Sequence, residues 1–449
     1  MANAEDRKAA MRTNQEIEAL LPPVIQEIES TGFLLNVAAL NARIAYFKKH
    51  KQDLRAELVK ELDKAPKKPE QGTDKNGRTY IDFGFDLTNF DDDQQVVAAL
   101  NGIQGVNVKG RGKVELRDLA EKIPAASKAC ELLIEMNHCD TMIHNHGECW
   151  RAKATDGYLY PKHKPTRSDT GRLCSDFQQW QRPEHIKGVP ELREILSPRP
   201  GMTFVYTDFS QIEIRIAAKL SGDPWLLGII QSGEDVHAMV IADTLCRNPQ
   251  EFLDAYRNPN HPKHQQAVEV RSKHKGVAFS ILYGATARGM AESLNISTAK
   301  AEKIIAGFFS KAAKLRDYVE QNAGVAVRRN QITTESGFTR TFDPAVLTAK
   351  QIARRGMNTP IQSGCADLLK LSMIFMREDF RKPPYGDKKP AALLSNSIHD
   401  EVIVQALPKD ADGVKQRMAG ALRRAIDEQF PGVEWDFLKE IKVSHTWSK

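Results

Sequence analysis

The stretch VYTDFSQIEIR, residues 205–215, sets the reading of the whole chain. The turn signal SPRPG (197–201) precedes it, and the short apolar run Phe204 to Tyr206 reads as a strand. A helix is expected to begin near Ser210. Asp208 then closes the strand just before the helix, where a carboxylate is held rigidly and can face a cleft. Ser210 and Glu213 have the S-x-x-E spacing of a capping box, so Glu213 reads either as a helix cap or as a site residue.

Two further stretches belong with it. In RSKHKGVAFSILYG (271–284), Arg271, Lys275, Phe279 and Tyr283 each stand four residues apart. Four residues of helix turn about 400°, so these side chains share one side of a helix over about 18 Å. Two cations followed by two aromatics suit a triphosphate, a sugar and a base. An amphipathic helix with a solvated basic end is the plainer alternative. In SIHDEVIVQA (397–406), apolar residues flank His399, Asp400 and Glu401, which places these at the tip of a hairpin made by two short strands within 393–407. A polar turn is the plainer alternative there.

Taken together the three stretches make one chemical proposal. Asp208 and Asp400 come from distant segments and can meet on one sheet. Two such charges repel unless cations lie between them. Magnesium binds through few carboxylates plus waters and phosphates, and two such ions clamp an in-line displacement at phosphorus.

The rest of the 449 residues sets limits. The length points to two or three lobes. Hydrophobic residues at 41% and charged residues at 27% are ordinary for a globular chain, and no apolar run is long enough to span a membrane. The polar start carries no export signal, so the six scattered cysteines are expected to be reduced thiols in a cytoplasmic setting. The formal charge of +6 permits a polyanionic partner. Lys109, Arg111 and Lys113 among the glycines of NVKGRGKVE form a basic loop. His138, Cys139, His144, His146 and Cys149 carry zinc-type ligands at a spacing outside the common zinc patterns, and read as polar residues on a helix surface. Helical spacing is expected over 16–62, 114–150 and most of 235–325, with 158–183 irregular.

These motifs resemble the family A DNA polymerases, the DNA polymerase I type, over residues 16–449. Asp208, Arg271 to Tyr283 and His399 to Glu401 match the family's motifs A, B and C, and TGRL (170–173), DVH (235–237) and NTPIQSGCADLLK (358–370) add ordered matches. The resemblance implies an α+β right-hand polymerase fold: a palm of antiparallel sheet plus helices, helical fingers and a helical thumb. Residues 1–40 would be palm-associated helices, 41–150 thumb, 151–234 and 346–449 palm, and 235–345 fingers. It implies a template-directed DNA polymerase acting as a monomer on primer-template DNA and dNTPs, with two magnesium ions (Mg2+). Asp208, Asp400 and the backbone carbonyl of Phe209 would hold the metals, with Glu401 in support. Arg271, Lys275 and His237 would contact the triphosphate, and Lys275 would donate a proton to the pyrophosphate. Phe279, Tyr283, Glu213 and Gln211 would shape the nucleotide site, with Glu213 excluding a 2′-hydroxyl. Arg172, Asn358, Gln362 and His399 would contact the primer-template, and the basic loop at Lys109, Arg111 and Lys113 would meet the duplex.

Departures are few. Phe209 stands where the family usually has Tyr, and the run after Arg172 is shortened, which weakens Gln178 and Gln179 as primer contacts. The segment before Asp208 is filled by thumb and outer palm, so no proofreading exonuclease is expected, and IDFGFD (81–86) reads as a turn and strand. Two rivals stay open: a single-subunit RNA polymerase, against which Glu213 and Phe279 argue, and a silent polymerase-like DNA-binding subunit, against which Asp208, Asp400 and Lys275 argue.

Overall fold

The computed structural model describes residues 11–64, 70–73, 79–82, 93–164, 168–177, 186–209, 211–274, 276–294, 296–433 and 440–447. The chain divides into two compact units. The first comprises residues 1–32, 160–179 and 198–445, and the second 33–159, 180–197 and 446–449.

The first unit opens with α1 (Asn14–Leu20) and α2 (Pro22–Thr31). The single helix expected over 16–62 is therefore broken. Pro22 starts a new helix at the position where its missing N–H does no harm, and Gly32 ends it with φ of 65°, which a residue with a Cβ adopts poorly. A strand, Phe33–Leu35, and the helix Val37–Lys64 follow in the second unit.

The centre of the first unit is a four-stranded antiparallel sheet made of β1 (Thr203–Asp208), β2 (Ala392–Ile398), β3 (Glu401–Ala406) and β4 (Lys442–Ser444), in the order β2-β3-β1-β4. All of β3 is buried, and β1 is buried up to Thr207. The strands at 203–208 and 392–406 fall where the apolar runs put them. Helices α3 (Ile212–Ser221), α4 (Val236–Leu245), α5 (Ala349–Asp379) and α6 (Ala411–Gln429) belong to the same unit. One apolar cluster joins Ile17 and Val24, Val205 and Val404, Ile214, Leu368 and Leu422.

Helix α5 starts with a Thr348–Gln351 capping box and packs closely against the helix Ala313–Arg329. A Cβ on Gly356 would lie 2.3 Å from the Cβ of Ala326, so only glycine allows this approach. Deep in α5, Asp367 accepts hydrogen bonds from Asn14 Nδ2 (2.7 Å) and Ser336 Oγ (2.6 Å), and the buried Lys370 ammonium lies on the Glu18 carboxylate. Burial pushes the Asp367 carboxyl up, against the pull of those hydrogen bonds.

The second unit packs Val37–Lys64 against Pro124–Asp140 and holds the strand trio Tyr158–Leu159, Phe33–Leu35 and Leu196–Ser197. Trp447 is buried against Phe33, with the Arg193 guanidinium 4.0 Å from its ring. The helix expected over 114–150 runs as Lys113–Lys122, Pro124–Asp140, a π-helical stretch Thr141–Glu148 and Cys149–Lys153. The surface reading of its His and Cys residues needs correction. His144 and Cys149 are exposed, but Cys139 and His146 are buried. Burial, then Arg43 and His138, lower the His146 pKa. Among the described residues no three His, Cys, Asp or Glu side chains gather to hold a metal ion. All six cysteines are free thiols.

Within 158–183, expected to be irregular, the pairs Tyr158–Leu159, His163–Lys164 and Cys174–Ser175 form two-residue strands. The strand expected at 81–86 is seen as Thr79–Asp82, and 83–86 lie outside the described residues. No helix among the described residues is long and apolar enough to cross a membrane.

Candidate active site

The sheet register brings the acidic residues to one rim. Asp208, the last residue of β1, pairs with Glu401, the first residue of β3. The Phe209 N–H donates to the Asp400 carbonyl at 3.1 Å, which fixes the β1 exit against the β2–β3 turn. That turn has two residues, His399 and Asp400, between strands paired from Ile398 to Glu401. His399 takes a φ of 56°, a left-handed conformation that short hairpins require and that His tolerates better than bulky apolar residues do. Asp208 and Asp400 are half-buried, His399 is exposed and Glu401 is 3% exposed. The Phe209 ring lies in the apolar core.

Helix α3 begins at Ile212, with Gln211 at its cap in a left-handed conformation (φ 52°) and no side-chain cap bond. Glu213 is therefore not the third residue of a capping box, and that reading of it is overturned. Its carboxylate turns elsewhere: Oε1 accepts from Arg172 Nη2 and, at 2.7 Å, from the Tyr283 hydroxyl. Arg172 Nη2 also reaches the Tyr283 oxygen at 3.5 Å. Burial works to lower the Arg172 pKa, but Glu213 overrides it and the guanidinium stays charged. Burial and then Glu213 push the Tyr283 hydroxyl well above its ordinary pKa, so it remains a donor.

A second ion pair lies beside this one in sequence order. Arg271 Nη2 donates to Asp235 Oδ2 at 2.6 Å. Asp235 caps α4 through the Ala238 N–H (2.8 Å) and receives the Tyr256 hydroxyl at 3.4 Å. Burial opposes ionisation of Asp235, but the Arg271 and Ala238 hydrogen bonds outweigh it and hold the carboxyl below the usual range. Gln211 Oε1 accepts from the Val236 N–H at 3.2 Å, which ties the β1–α3 junction to the start of α4. His237, next along α4, is 4% exposed.

Asn358 and Gln362 stand on α5. Asn358 is 4% exposed, with both amide atoms buried and without a hydrogen-bond partner among the described residues, while Gln362 is half-buried. Lys275, Ser210, Gln178 and Gln179 lie outside the described residues, and of Phe279 only the backbone is described. The helical segments His264–His274 and Gly276–Leu282 flank residue 275, and Tyr283 follows the second. Lys109, Arg111 and Lys113 belong to the second unit: Lys109 and Arg111 lie in the loop before the helix Lys113–Lys122, and Lys113, expected in that loop, is the first residue of the helix. There Glu115 accepts the Lys109 N–H at 2.8 Å, and Asn137 binds the Arg111 carbonyl at 3.1 Å.

Sequence reasoning left Asp235 without a role. A signal was present: an acidic residue three before Ala238 at the head of an apolar helix is an N-cap pattern. Nothing in the spacing links it to Arg271.

The first unit thus carries two aspartates at one sheet rim, with Arg271 and Tyr283 on or just after the helical segments His264–His274 and Gly276–Leu282. The sequence profile of DNA polymerase family A matches residues 113–449, and the chain belongs to that family. Thermostable DNA polymerase I of Thermus aquaticus is 26% identical over 450 residues, which cover 95% of this chain and 48% of that protein. DNA polymerase I of Chloroflexus aurantiacus is 26% identical over 338 residues, covering 72% of this chain and 34% of that protein. The chain thus spans about a third to a half of the length of these relatives. Among solved structures, the POL domain of Pol1 from M. smegmatis, in complex with DNA primer-template and dNTP, matches with a TM-score of 0.73. The match covers 96% of this chain and 70% of that one at 20% identity, a likeness of fold. The expected α+β polymerase fold is the one observed.

Proposed function

We propose that the chain is a template-directed DNA polymerase that joins a deoxynucleotide to a primer 3′-hydroxyl and releases pyrophosphate. The observation that carries this is the pairing of β1 with β3, which sets Asp208 and Asp400 at one rim through the Phe209–Asp400 hydrogen bond. Two aspartates and a backbone carbonyl at Phe209 are hard oxygen donors, too few to cage calcium but suited to magnesium that keeps waters and substrate phosphates. When bound there, magnesium would acidify the 3′-hydroxyl and offset phosphate charge.

The chain's own residues do the rest. The primer 3′-oxygen attacks the α-phosphorus, the bond to the bridging oxygen breaks, and pyrophosphate leaves. Arg271, Lys275 and His237 hold the triphosphate, and Lys275 gives its proton to the departing pyrophosphate. Glu213 lies under the sugar, Phe279 and Tyr283 pack by the nucleotide and the templating base, and Gln211 steadies the junction beneath them. Arg172, Asn358, Gln362 and His399 contact the primer-template, and the buried, unpartnered Asn358 amide supports an incoming partner. The helices of the second unit act as the thumb, with Lys109, Arg111 and Lys113 on duplex phosphates. Glu401 supports the two aspartates.

The test is extension of a labelled DNA primer with magnesium and four deoxynucleotides, wild type beside Asp208→Ala and Asp400→Ala. Extension by wild type alone supports the reading. A folded wild type that binds duplex without extending it refutes it in favour of a silent subunit, and preference for ribonucleotides refutes it in favour of an RNA polymerase.

A further inference from the structure

The loop 168–172 carries Arg172 and the helix α5 carries Asn358, both assigned above to the primer-template. In the loop, the Ser168 and Thr170 hydroxyls meet at 3.0 Å, and the Gly171 N–H donates to the Ser168 carbonyl at 3.2 Å. Gly171 turns with a φ of 76°, which a residue with a Cβ adopts poorly. These contacts are internal to the turn and do not tie it to α5.

A hairpin supplies the tie. The strands Gln331–Thr333 and Thr339–Thr341 pair with Arg340 opposite Ile332. Ile332 is buried with Ala326, Phe342 and Ile352, which seats the hairpin on α5 and on the helix Ala313–Arg329. Its tip is held as well: the Ser336 hydroxyl donates to Asp367 of α5, and the Ser336 carbonyl accepts the Asn14 N–H at 2.7 Å. Fixed at base and tip, the hairpin is a rigid platform, and two of its side chains reach the loop. A Cβ on Gly171 would come within 3.3 Å of the Phe338 ring. The Arg340 guanidinium spans two segments: Nη2 donates to Asp169 Oδ2 at 3.0 Å, and Nη1 to Thr359 Oγ1 at 3.3 Å. Asp169 stands three residues before Arg172, and Thr359 follows Asn358. All of these residues belong to the first unit.

Arg340 suits this bridge better than it suits a phosphate in solution. Its side chain is 12% exposed, and its guanidinium lies 5.2 Å from the Phe342 ring. The Thr359 hydroxyl gives its own proton to the Arg355 carbonyl at 2.8 Å, which leaves its oxygen to accept from Arg340. Burial works against the Arg340 charge, Asp169 supports it and Arg355 opposes it. Asp169 itself is 71% exposed. An exposed carboxylate three residues from a primer contact repels phosphate, a cost to DNA binding that the bridge to Arg340 explains.

We propose, on the polymerase reading above, that Arg340 is a positioning residue: through Asp169 and Thr359 it sets the Arg172 loop against Asn358, so that both meet the primer-template together.

The test is binding of a fluorescent primer-template duplex to the full chain, read by anisotropy in EDTA. Wild type is compared with Asp169→Asn, Arg340→Lys, Arg340→Gln and the double variant Asp169→Asn/Arg340→Gln. Asp169→Asn binds about three- to fivefold more weakly although it removes a negative charge, the range open to an ion pair with one exposed partner. Arg340→Gln loses both bonds and binds about tenfold more weakly. The double variant binds no more weakly than Arg340→Gln, because the effect of Asp169 runs through Arg340. Arg340→Lys keeps the charge beside Asp169 but not the fork, and falls between wild type and Arg340→Gln. Tighter binding by Asp169→Asn, or single effects that add in the double variant, overturns the proposal. Wild type that binds no duplex overturns the polymerase reading with it. Wild type that binds and extends a primer, while Asp169→Asn and Arg340→Gln bind as wild type does, overturns this inference alone. Asp169→Asn alters an exposed side chain and keeps its urea midpoint, so its lost affinity is not lost fold.

Discussion

Replacing Arg172 and Glu213, singly and together, measures whether Glu213 works as an ion-pair partner or as a local cap. Arg172 Nη2 and the Tyr283 hydroxyl converge on the same Glu213 oxygen. Glu213's side chain is 12% exposed and Arg172's 38%. Breaking a fully buried pair costs about 3–5 kcal/mol, and an exposed pair is worth about 0–1 kcal/mol. With one partner dry and the other over a third wet, the coupling should be about 1–2 kcal/mol. Chemical denaturation of wild type, Arg172→Ala, Glu213→Ala and the double variant gives this number as the shortfall of the double below the sum of the singles. The dry carboxylate should also keep the coupling largely insensitive to added salt. A cap-only Glu213 would cost about 1 kcal/mol on its own and know nothing of Arg172. Singles that add within about 0.5 kcal/mol would refute the paired geometry.

Three further outcomes are expected. The Asp235 carboxyl is held below its ordinary value near 3.8, so its contribution to stability is present above that value and lost as pH falls through the depressed folded one. The stability gap between wild type and Asp235→Asn should be full at pH 7 and shrink below about pH 4, and a gap unchanged down to pH 2 would rule this out. The Asp367 carboxyl is pushed up by burial, so Asp367→Asn should be at least as stable as wild type at neutral pH and lose its advantage as acid protonates the wild-type carboxyl, read by urea midpoints at both pH values. Gly356→Ala forces a Cβ to 2.3 Å from Ala326 between two helix backbones and should cost about 1–3 kcal/mol, seen as a lower thermal midpoint; an unchanged midpoint would contradict the close packing.

The sheet was readable because its signals are local. Apolar runs beside SPRPG and around His399–Glu401 fix one strand and a hairpin, and only the pairing between them had to be inferred. Helix ends were less readable where apolar spacing runs through Pro22, Gly32 and Pro124, since periodicity ignores the single residues that break it. The His and Cys cluster was misread because spacing does not say which face of a helix is buried: seven residues of helix turn about 700°, so Cys139 and His146 fall on one face, and that face is the buried one. The site divides in the same way. Asp208 and Asp400 announce themselves by sitting at strand ends, whereas the partners of Glu213 lie 41 and 70 residues away and that of Asp235 lies 36 away.

These long-range pairs give the proposed reading a selectivity that the motifs alone lack. Arg271, assigned to the triphosphate, rests on Asp235, and Arg172, assigned to the primer side, rests on Glu213. Neither cation waits bare, so an incoming anion must replace a carboxylate already in place. A single carboxylate or chloride gains nothing by that exchange, because it offers no more charge than the group it displaces. On the proposed reading a triphosphate would bring several charges to Arg271, Lys275 and His237 at once, so it would gain from opening the Asp235 pair. Asp235, anchored by the Ala238 N–H, would be ready to take Arg271 back once pyrophosphate had left. On this argument Asp235→Asn should bind triphosphate more tightly yet discriminate less against other polyanions, so the carboxylate that sequence reasoning passed over sets the threshold for entry.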